Sequence, residues 1–474
     1  MTTIPAVTDV IIIGAGTAGL AAVKQVQKQT DRYLLINSGP YGTTCARVGC
    51  MPSKLLIEAA NAYHRRHSFE AFGICHAENL TVDLPAVLSR VRELRDYYVA
   101  GVLKSVHELG SKVVSGHAKL LSPNQVQVNE QVIQCKKIII ATGSRPLIPK
   151  AWQSLDDSLL TSDNLFEQKN LKPRIAVIGM GAIGVEMAQA LSRLGLDVTA
   201  FSSSQQLAGL TDPEVNQNLL DQLQTEFSVY LGQAAELSNT NTGVKVTAGE
   251  TSIEVDQLVA AIGRQPNLDN IGLENLGVPL NTKGMPEINP KTMQVADLPV
   301  FIAGDASATS MLLHEVADEG RIAGHNAVAP KVETFCRRTP LRIVFSEPET
   351  AVVGRKFADC DAETTLIGQI NFDDQGRARA GQRNKGLMRV YADKNTRVLL
   401  GAEMSAPAAE HMAHLLALAI AQQLTVAQVL AMPIYHPVLE EGMRTALRQL
   451  QKQLDSDKSF DLSRCEAFHS EALD

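Results

Sequence analysis

Asp9-Val10-Ile11-Ile12-Ile13-Gly14-Ala15-Gly16-Thr17-Ala18-Gly19 decides the fold. Val10 to Ile13 is an unbroken apolar run, the pattern of a strand buried on both faces. It empties into a GxGxxG turn; residues from Leu20 to about Lys28 then carry helical character, and Tyr33 to Ile36 is a second apolar strand. Strand, glycine motif, helix and strand in this order make a βαβ unit that binds a dinucleotide. Gly14 permits the tight turn, Gly16 lets the backbone approach a pyrophosphate, and Gly19 lets helix and strand pack closely. Amides at the helix N-terminus then hold the diphosphate. An acid for a ribose hydroxyl is expected about 20 residues further on. Asn37 stands there instead, able to accept a hydrogen bond through its amide oxygen but without a carboxylate's charge.

The motif recurs. Arg174 to Ile178 runs into Gly179-Met180-Gly181-Ala182-Ile183-Gly184 and a helical stretch through Leu194. Two such units in one chain are far more specific than either alone, and they predict two dinucleotides, FAD and NAD or NADP. The second strand, Val198 to Phe201, ends at Ser202, where an acid would select NAD. No Lys or Arg occurs between Arg193 and Lys245 to hold a 2′-phosphate. A phosphate dianion without a local cation is the harder case, so the site favours NAD; a basic residue folded in from elsewhere would reverse this, and NADP stays open. Glu186, just past Gly184, suits the positive end of its helix, with an exposed surface acid as the plain alternative.

Elsewhere, Lys136 to Ile140 is a strand leaving through Ala141-Thr142-Gly143-Ser144-Arg145-Pro146, small residues that allow close backbone passage beside a ligand. Pro146 to about Pro173 reads as a domain connection. Leu258 to Ile262 leads to Gly263, and Pro299 to Ala303 leads to Gly304-Asp305. Between the first glycine motif and these lies Gly42-Thr43-Thr44-Cys45-Ala46-Arg47-Val48-Gly49-Cys50-Met51-Pro52-Ser53-Lys54. Positions five apart stay near one helix face, and a bend at Gly49 can bring the Cys45 and Cys50 sulfurs into bonding range. A redox-active disulfide against a flavin is the reading. The alternative from another class is half of a structural zinc site in a non-catalytic nucleotide-binding protein. Zinc commonly takes paired C-x₂₋₄-C elements, and the chain has no second close pair. The remaining cysteines, at 75, 135, 336, 360 and 465, are each alone and read as small buried hydrophobes.

At 474 residues and 45% hydrophobic content, the chain is too long for one core and suggests about three or four domains. A net charge of −7 argues against nucleic acid or an anionic membrane as partner. No apolar run approaches the roughly 18 residues of a transmembrane span. Met1 to Thr8 lacks the pattern of a secretory signal, and the cysteines do not form a secreted framework, so a cytoplasmic location is expected.

Taken together, the two glycine motifs, Thr43–Lys54 (TTCARVGCMPSK), Ala141–Pro146 (ATGSRP), Gly263–Asn267 (GRQPN), Phe301–Ala306 (FIAGDA) and His436–Glu441 (HPVLEE) span nearly the whole chain. In them the sequence resembles the flavin-dependent pyridine nucleotide–disulfide oxidoreductases. The resemblance implies an α/β fold with two Rossmann-like domains, an FAD-binding domain at 1–150 and an NAD(P)-binding domain at 151–267. A central domain at 268–340 would complete the FAD site, and an α+β dimerisation domain would occupy 341–474. It also implies a homodimer in which His436 and Glu441 serve the partner's site, with the apolar stretch Ala408 to Leu430 as interface material rather than core.

Among the cofactor contacts, Asp305 would bond the flavin's ribitol chain, with Ala118 and Leu313 contributing backbone atoms. Thr142, Gly143 and Ser144 would line the FAD side; Ser202 and Gly263 would line the NAD side. Lys54 and Glu186 would pair beside the flavin's reactive nitrogen. Cys45 would exchange with substrate, and Cys50 would make the charge-transfer contact with the flavin. His436 would be the base, its unperturbed pKa near ~6.5 suiting proton transfer at neutral pH, with Glu441 orienting the imidazole. Val438 replaces the family's usual threonine beside it. The implied reaction is oxidation of dihydrolipoamide by NAD⁺. The rival reactions are NAD(P)H-driven reduction of another small disulfide, as glutathione reductase performs, or of mercuric ion. The vicinal cysteine pair of mercuric reductases is missing near the C-terminus, where only Cys465 lies.

Overall fold

The computed structural model describes residues 4–455; Cys465 lies outside them. The first glycine motif sits where a parallel sheet begins. Val7–Ile13 pairs in parallel with Tyr33–Asn37 on one side and Gln131–Ile140 on the other, with Val10 opposite Tyr33 and Ile11 opposite Ile138. Val113–Ser115 extends one edge, and the antiparallel strands Gln125–Val128 and Ala118–Ser122 complete the other. Ile11, Ile12, Leu35 and Ile139 are fully buried, as continuous apolar runs covered on both faces require.

The helices of this region are α1 (Thr17–Val26), α2 (Thr44–Val48), α3 (Cys50–His64) and α4 (Leu84–His107). Asp83 caps α4 by accepting from the Ala86 amide at 3.0 Å, and Pro85 occupies its first turn, where no amide is needed.

A second sheet repeats the pattern. Arg174–Ile178, Asp197–Ser202, Ser228–Leu231 and Gln257–Ala260 are parallel, with α5 (Ala182–Arg193) and α6 (Pro213–Gln224). The fifth strand, Leu159–Leu160, comes from the stretch read as a plain connection. Both residues are buried, so the linker's leucines fill a sheet edge that too short a run could not announce. A small antiparallel sheet, Glu236–Asn239 to Val244–Ala248 to Thr251–Val255, covers one side. Ser144–Pro146 and Arg264–Pro266 pair antiparallel, tying the two regions where the chain leaves and returns.

The chain then rejoins the first sheet. Val300–Ile302 pairs with Gln131–Ile140, and α7 (Leu313–Val328) packs along α1. Gly320 and Gly324 make this possible: a Cβ on either would stand 2.2 or 2.6 Å from a backbone oxygen of α1.

From Leu341 a five-stranded antiparallel sheet forms, ordered Leu341–Val344, Glu349–Gly354, Leu399–Ala406, Leu387–Asp393 and Thr365–Asn371. Its helices are α8 (Gly376–Ala380), α9 (Ala409–Ala421), α10 (Val426–Leu430) and α11 (Glu441–Leu454). The apolar stretch from Ala408 to Leu430 is two helices, and the expectation that it is interface rather than core needs correction. Met412, Ala413 and Leu416 of α9 are fully buried in the core of this sheet. Only its outer side is free: Leu418 is exposed. A hydrophobic helix this close to its own sheet buries a stripe locally before any partner arrives.

One packing feature prepares the site. Leu56, Ile57 and Ala60 of α3 share a core with Val185 and Met187 of α5. The cysteine-bearing helix thus belongs to the first region by sequence and to the second by packing. Each buried aliphatic side chain there contributes roughly 1.5–3 kcal/mol.

Candidate active site

Gly49 divides the two cysteines. Its φ of −124° and ψ of −118° end α2 and start α3, so Cys45 lies in one short helix and Cys50 opens the next. The bend is tight: a Cβ at Gly49 would stand 3.0 Å from the Thr44 carbonyl oxygen. The two sulfurs lie close enough for each thiol to set the other's acidity. Their acidities diverge. Contact with Cys50, together with burial, pushes the Cys45 thiol far up. The hydrogen bond from Cys45 and the nearby Lys54 ammonium bring Cys50 down to about 7.

Lys54 stands four residues along α3 from Cys50, hence on the same face. Its Nζ lies 2.8 Å from both carboxylate oxygens of Glu186 on α5. Glu186 is only 5% exposed, so the surface-acid alternative falls. A buried carboxylate needs its partners. Glu186 has a second one, the Phe345 amide, which donates to Oε1 at 3.1 Å, and the Phe345 ring lies 4.6 Å from the Lys54 ammonium. Phe345 belongs to the C-terminal region, and no sequence signal marked it.

These groups line a cavity of about 360 Å³ together with Gly16, Gly143, Ile183, Arg264, Asp305 and Leu313. It shares Gly16, Thr44, Val48, Ala141, Gly143 and Arg264 with a larger cavity of about 770 Å³, lined also by Gly14, Asn37, Ala118, Thr142 and Ser144. The residues fit an extended dinucleotide. A Cβ at Gly16 or Gly143 would meet no protein atom within 4 Å, so both glycines keep their walls open. Thr142 Oγ1 and Arg47 Nε are buried without a protein partner beside this space. Gly14 has φ +108°, and a Cβ there would sit 2.2 Å from the Ala141 carbonyl oxygen.

Asn37 explains its own presence. Its Oδ1 accepts from the Ala15 amide at 3.1 Å and its Nδ2 donates to the Gly39 carbonyl at 2.6 Å, so it braces the glycine turn as well as lining the cavity. Asp305 accepts from Ser144 Oγ at 2.5 Å.

A third cavity, about 510 Å³, is lined by Gly179, Gly181, Ser202, Ser203, Ser204 and Gly263 among others. No Lys or Arg lines it, although the Arg342 guanidinium comes up to Gly209, one of its walls. Gly19 and Gly184 face neither space. A Cβ on them would lie 1.8 and 1.7 Å from the carbonyl oxygens of Gly14 and Gly179, so their role is packing of helix on turn.

His436 and Glu441 are paired but stand apart from the thiol cavity of their own chain. His436 Nδ1 is 3.1 Å from each Glu441 oxygen, and the imidazole is 79% exposed. The hydrogen bond with His436 holds the Glu441 carboxyl below its usual range. Val438 donates its amide to Glu441 at 3.3 Å, so the threonine-to-valine change keeps the backbone support of the pair. Among the described residues, no cluster of three or more His, Cys, Asp or Glu could hold a metal ion, and no helix is long and apolar enough to cross a membrane.

A glycine-motif cavity continuous with one that holds a cysteine pair, and a second glycine-motif cavity in the neighbouring sheet, fit a flavin- and pyridine-nucleotide-dependent disulfide oxidoreductase. The chain matches the pyridine nucleotide-disulphide oxidoreductase family over residues 8–320 and that family's dimerisation domain over residues 341–447. It belongs to this family, whose members use FAD and NAD(P). It is 30% identical to a dihydrolipoyl dehydrogenase of Thermus scotoductus over 459 residues, 94% of this chain and 98% of that one. A mercuric reductase of Staphylococcus aureus is 27% identical, over 94% of this chain and 83% of its own length. Among solved structures, LpdA of Mycobacterium tuberculosis superposes with a TM-score of 0.82 at 23% identity, over 94% and 99% of the two chains. The HOCl-induced flavoprotein disulfide reductase RclA of Escherichia coli, as its Cu(II) complex, gives 0.82 at 21%, over 93% and 99%. At those identities the structures speak for the fold alone.

Proposed function

We propose that the protein is a cytoplasmic dihydrolipoamide dehydrogenase that oxidises the dithiol with NAD⁺. The observation that carries this reading is the pair of opposed thiols beside a cavity whose cations are all engaged: Lys54 by Glu186, and Arg264 by Ser144 and Ser162. Arg264 keeps its charge, since Ser144 and Ser162 are neutral, but its nitrogens are bonded to them. The lining therefore offers a carboxylate substrate such as glutathione only this one engaged cation, whereas an uncharged dithiol amide needs none. The relatives named dihydrolipoyl dehydrogenase support the same choice. For the nucleotide, the cation-free lining around Ser202 supports NAD.

In the oxidised enzyme Cys45 and Cys50 are joined. His436 of the partner subunit, held by that subunit's own Glu441, takes the proton from one substrate thiol. The resulting thiolate attacks Cys45 Sγ; the Cys45–Cys50 bond breaks and Cys50 leaves as a thiolate. A leaving thiol of low pKa departs fastest, and Cys50 is the low one, steadied by Lys54. The second substrate thiol attacks the substrate sulfur of the mixed disulfide while its proton passes to the departing Cys45 sulfur, the high-pKa member of the pair. Cyclic lipoamide departs and Cys45 is released with its electrons. The Gly14–Gly19 turn, Asn37, Ala118, Thr142–Ser144, Asp305 and Leu313 would hold FAD, which when bound would supply the electron-pair acceptor for the dithiol and the hydride for NAD⁺. The test is His436→Ala: dihydrolipoamide–NAD⁺ turnover falls by about 10²–10⁴ while NADH-to-dye electron transfer stays near wild type. Equal loss of both would assign His436 to assembly and remove it from the chemistry.

A further inference from the structure

Lys54 and Glu186 are one end of a longer polar seam. Along α5, Glu186, Gln189 and Arg193 fall at i, i+3 and i+7, one face of the helix. That face meets the segment from Phe345 to Glu347, which links the first two strands of the C-terminal sheet. Phe345 donates its amide to Glu186 at 3.1 Å. Gln189, 3% exposed, exchanges two bonds with the backbone of Glu347, accepting from its amide at 2.8 Å and donating to its carbonyl at 2.9 Å. Arg193, whose side chain is 3% exposed, donates to the Glu347 carboxylate at 2.6 Å and to Asn61 Oδ1 on α3 at 2.6 Å. It also forks onto Glu226 at 2.7 Å through two nitrogens. The seam therefore grips α3 at Lys54 and again at Asn61, two turns apart, while the C-terminal segment is bonded along α5.

Resting on the redox role of the thiols given above, we infer that Gln189 and Arg193 are positioning residues for the Cys50 thiolate: by clamping the 345–347 segment onto α5 they fix where the Lys54 ammonium stands. Neither touches a sulfur. Gln189 holds Glu347, two residues from Phe345; Phe345 in turn fixes the Glu186 carboxylate through its amide and the ammonium through its ring. The 345–347 side of the seam lies in the region matching the dimerisation domain, so that region also bears on the electrostatics of the thiols. The charged and titratable groups facing Cys50 are Cys45, Lys54 and Glu186, with Arg264 and Asp305 elsewhere on the cavity wall. Those facing Arg193 are Glu226, Glu347, His67 and His64, the last kept neutral by burial and by Arg193 itself, with its pKa down to about 4.

The test is Gln189→Met, close in shape and without the hydrogen bonds, with Arg193→Lys as a second variant that keeps the charge and loses the fork. The control is Gln257→Met, which removes a comparably buried glutamine that accepts from the Lys172 amide in the second sheet. The readout is the pH midpoint of iodoacetamide alkylation at Cys50, located by peptide mass, in the reduced FAD-loaded protein. A close opposite charge lowers a pKa by about one to three units, so partial loss of its placement should raise the midpoint by about half a unit or more. That shift is expected in Gln189→Met or Arg193→Lys and absent in the control. Unchanged midpoints in both seam variants, or an equal shift in the control, would overturn the inference by making the seam a matter of stability alone. The measurement uses no substrate, so it stands or falls separately from the choice of dihydrolipoamide, which wild-type turnover decides.

Discussion

Removing the Lys54 ammonium should separate two effects that its buried partner combines. In Lys54→Met, Glu186 loses its counter-charge while remaining 94% out of water at its side chain. Deleting one member of a buried pair costs about 3–5 kcal/mol. Lys54 itself is 31% exposed, so solvent already carries part of the interaction, and about 2 kcal/mol of lost stability is the expected figure. The thiols respond in the opposite sense to their partners. Lys54 pulls the Cys50 pKa down and Glu186 pushes it up. Lys54→Met should therefore raise the Cys50 midpoint from about 7 by about one unit, worth about 1.4 kcal/mol of thiolate stabilisation.

Adding Glu186→Leu should restore most of the stability, because an apolar pair replaces a broken ionic one. About 1 kcal/mol stays lost through the Phe345 amide, which then has no acceptor. The midpoint of the double variant should fall between those of Lys54→Met and wild type, and that of Glu186→Gln alone below wild type. Urea unfolding of the FAD-loaded protein gives the stabilities, and alkylation rates against pH give the midpoints. A Lys54→Met protein whose Cys50 midpoint stays at the wild-type value would refute the reasoning, whatever its stability.

The third cavity, around Ser202, predicts a marked preference for NAD⁺ over NADP⁺, with KM for NADP⁺ higher by at least about tenfold. Arg342 is the cation to watch: Arg342→Met should leave the NAD⁺ to NADP⁺ ratio unchanged, and selective loss of NADP⁺ use would identify it as the phosphate's partner. Gly49→Ala forces a methyl to within 3.0 Å of the Thr44 carbonyl oxygen, so it should cost about 1–3 kcal/mol in thermal or urea unfolding. It should also slow re-formation of the Cys45–Cys50 bond, measured by thiol titration after reduction. A Gly49→Ala protein as stable as wild type would show that α2 and α3 can part without strain.

What the sequence made legible was what depends on near neighbours. GxGxxG turns, apolar parallel strands and the cysteine block are local patterns, and each folds where its period and glycines place it. Asn37 was visible as a departure, but its work on Ala15 and Gly39 was not, since a missing acid says only what is absent. Leu159–Leu160 was read as linker because two residues carry no period. Ala408 to Leu430 was read as interface because uniform hydrophobicity does not say which face finds the chain's own sheet first. Phe345, Gln189 and Arg193 were illegible for a plainer reason. The contacts that join them across the C-terminal segment span more than 150 residues of sequence, and only the packing of α3 on α5 and of both on the C-terminal sheet brings them together.

The Cys45–Cys50 relay is proposed to draw electrons from dihydrolipoamide and deliver them to NAD⁺. Steady-state turnover of the FAD-loaded protein with dihydrolipoamide and NAD⁺, run beside oxidised glutathione with NADPH and mercuric ion with NADPH, tests it directly. Turnover with the first pair should run at a kcat/KM at least about a hundredfold above either other. A flavin-loaded protein that ignores dihydrolipoamide, or that turns over glutathione disulfide or mercuric ion faster, would contradict it.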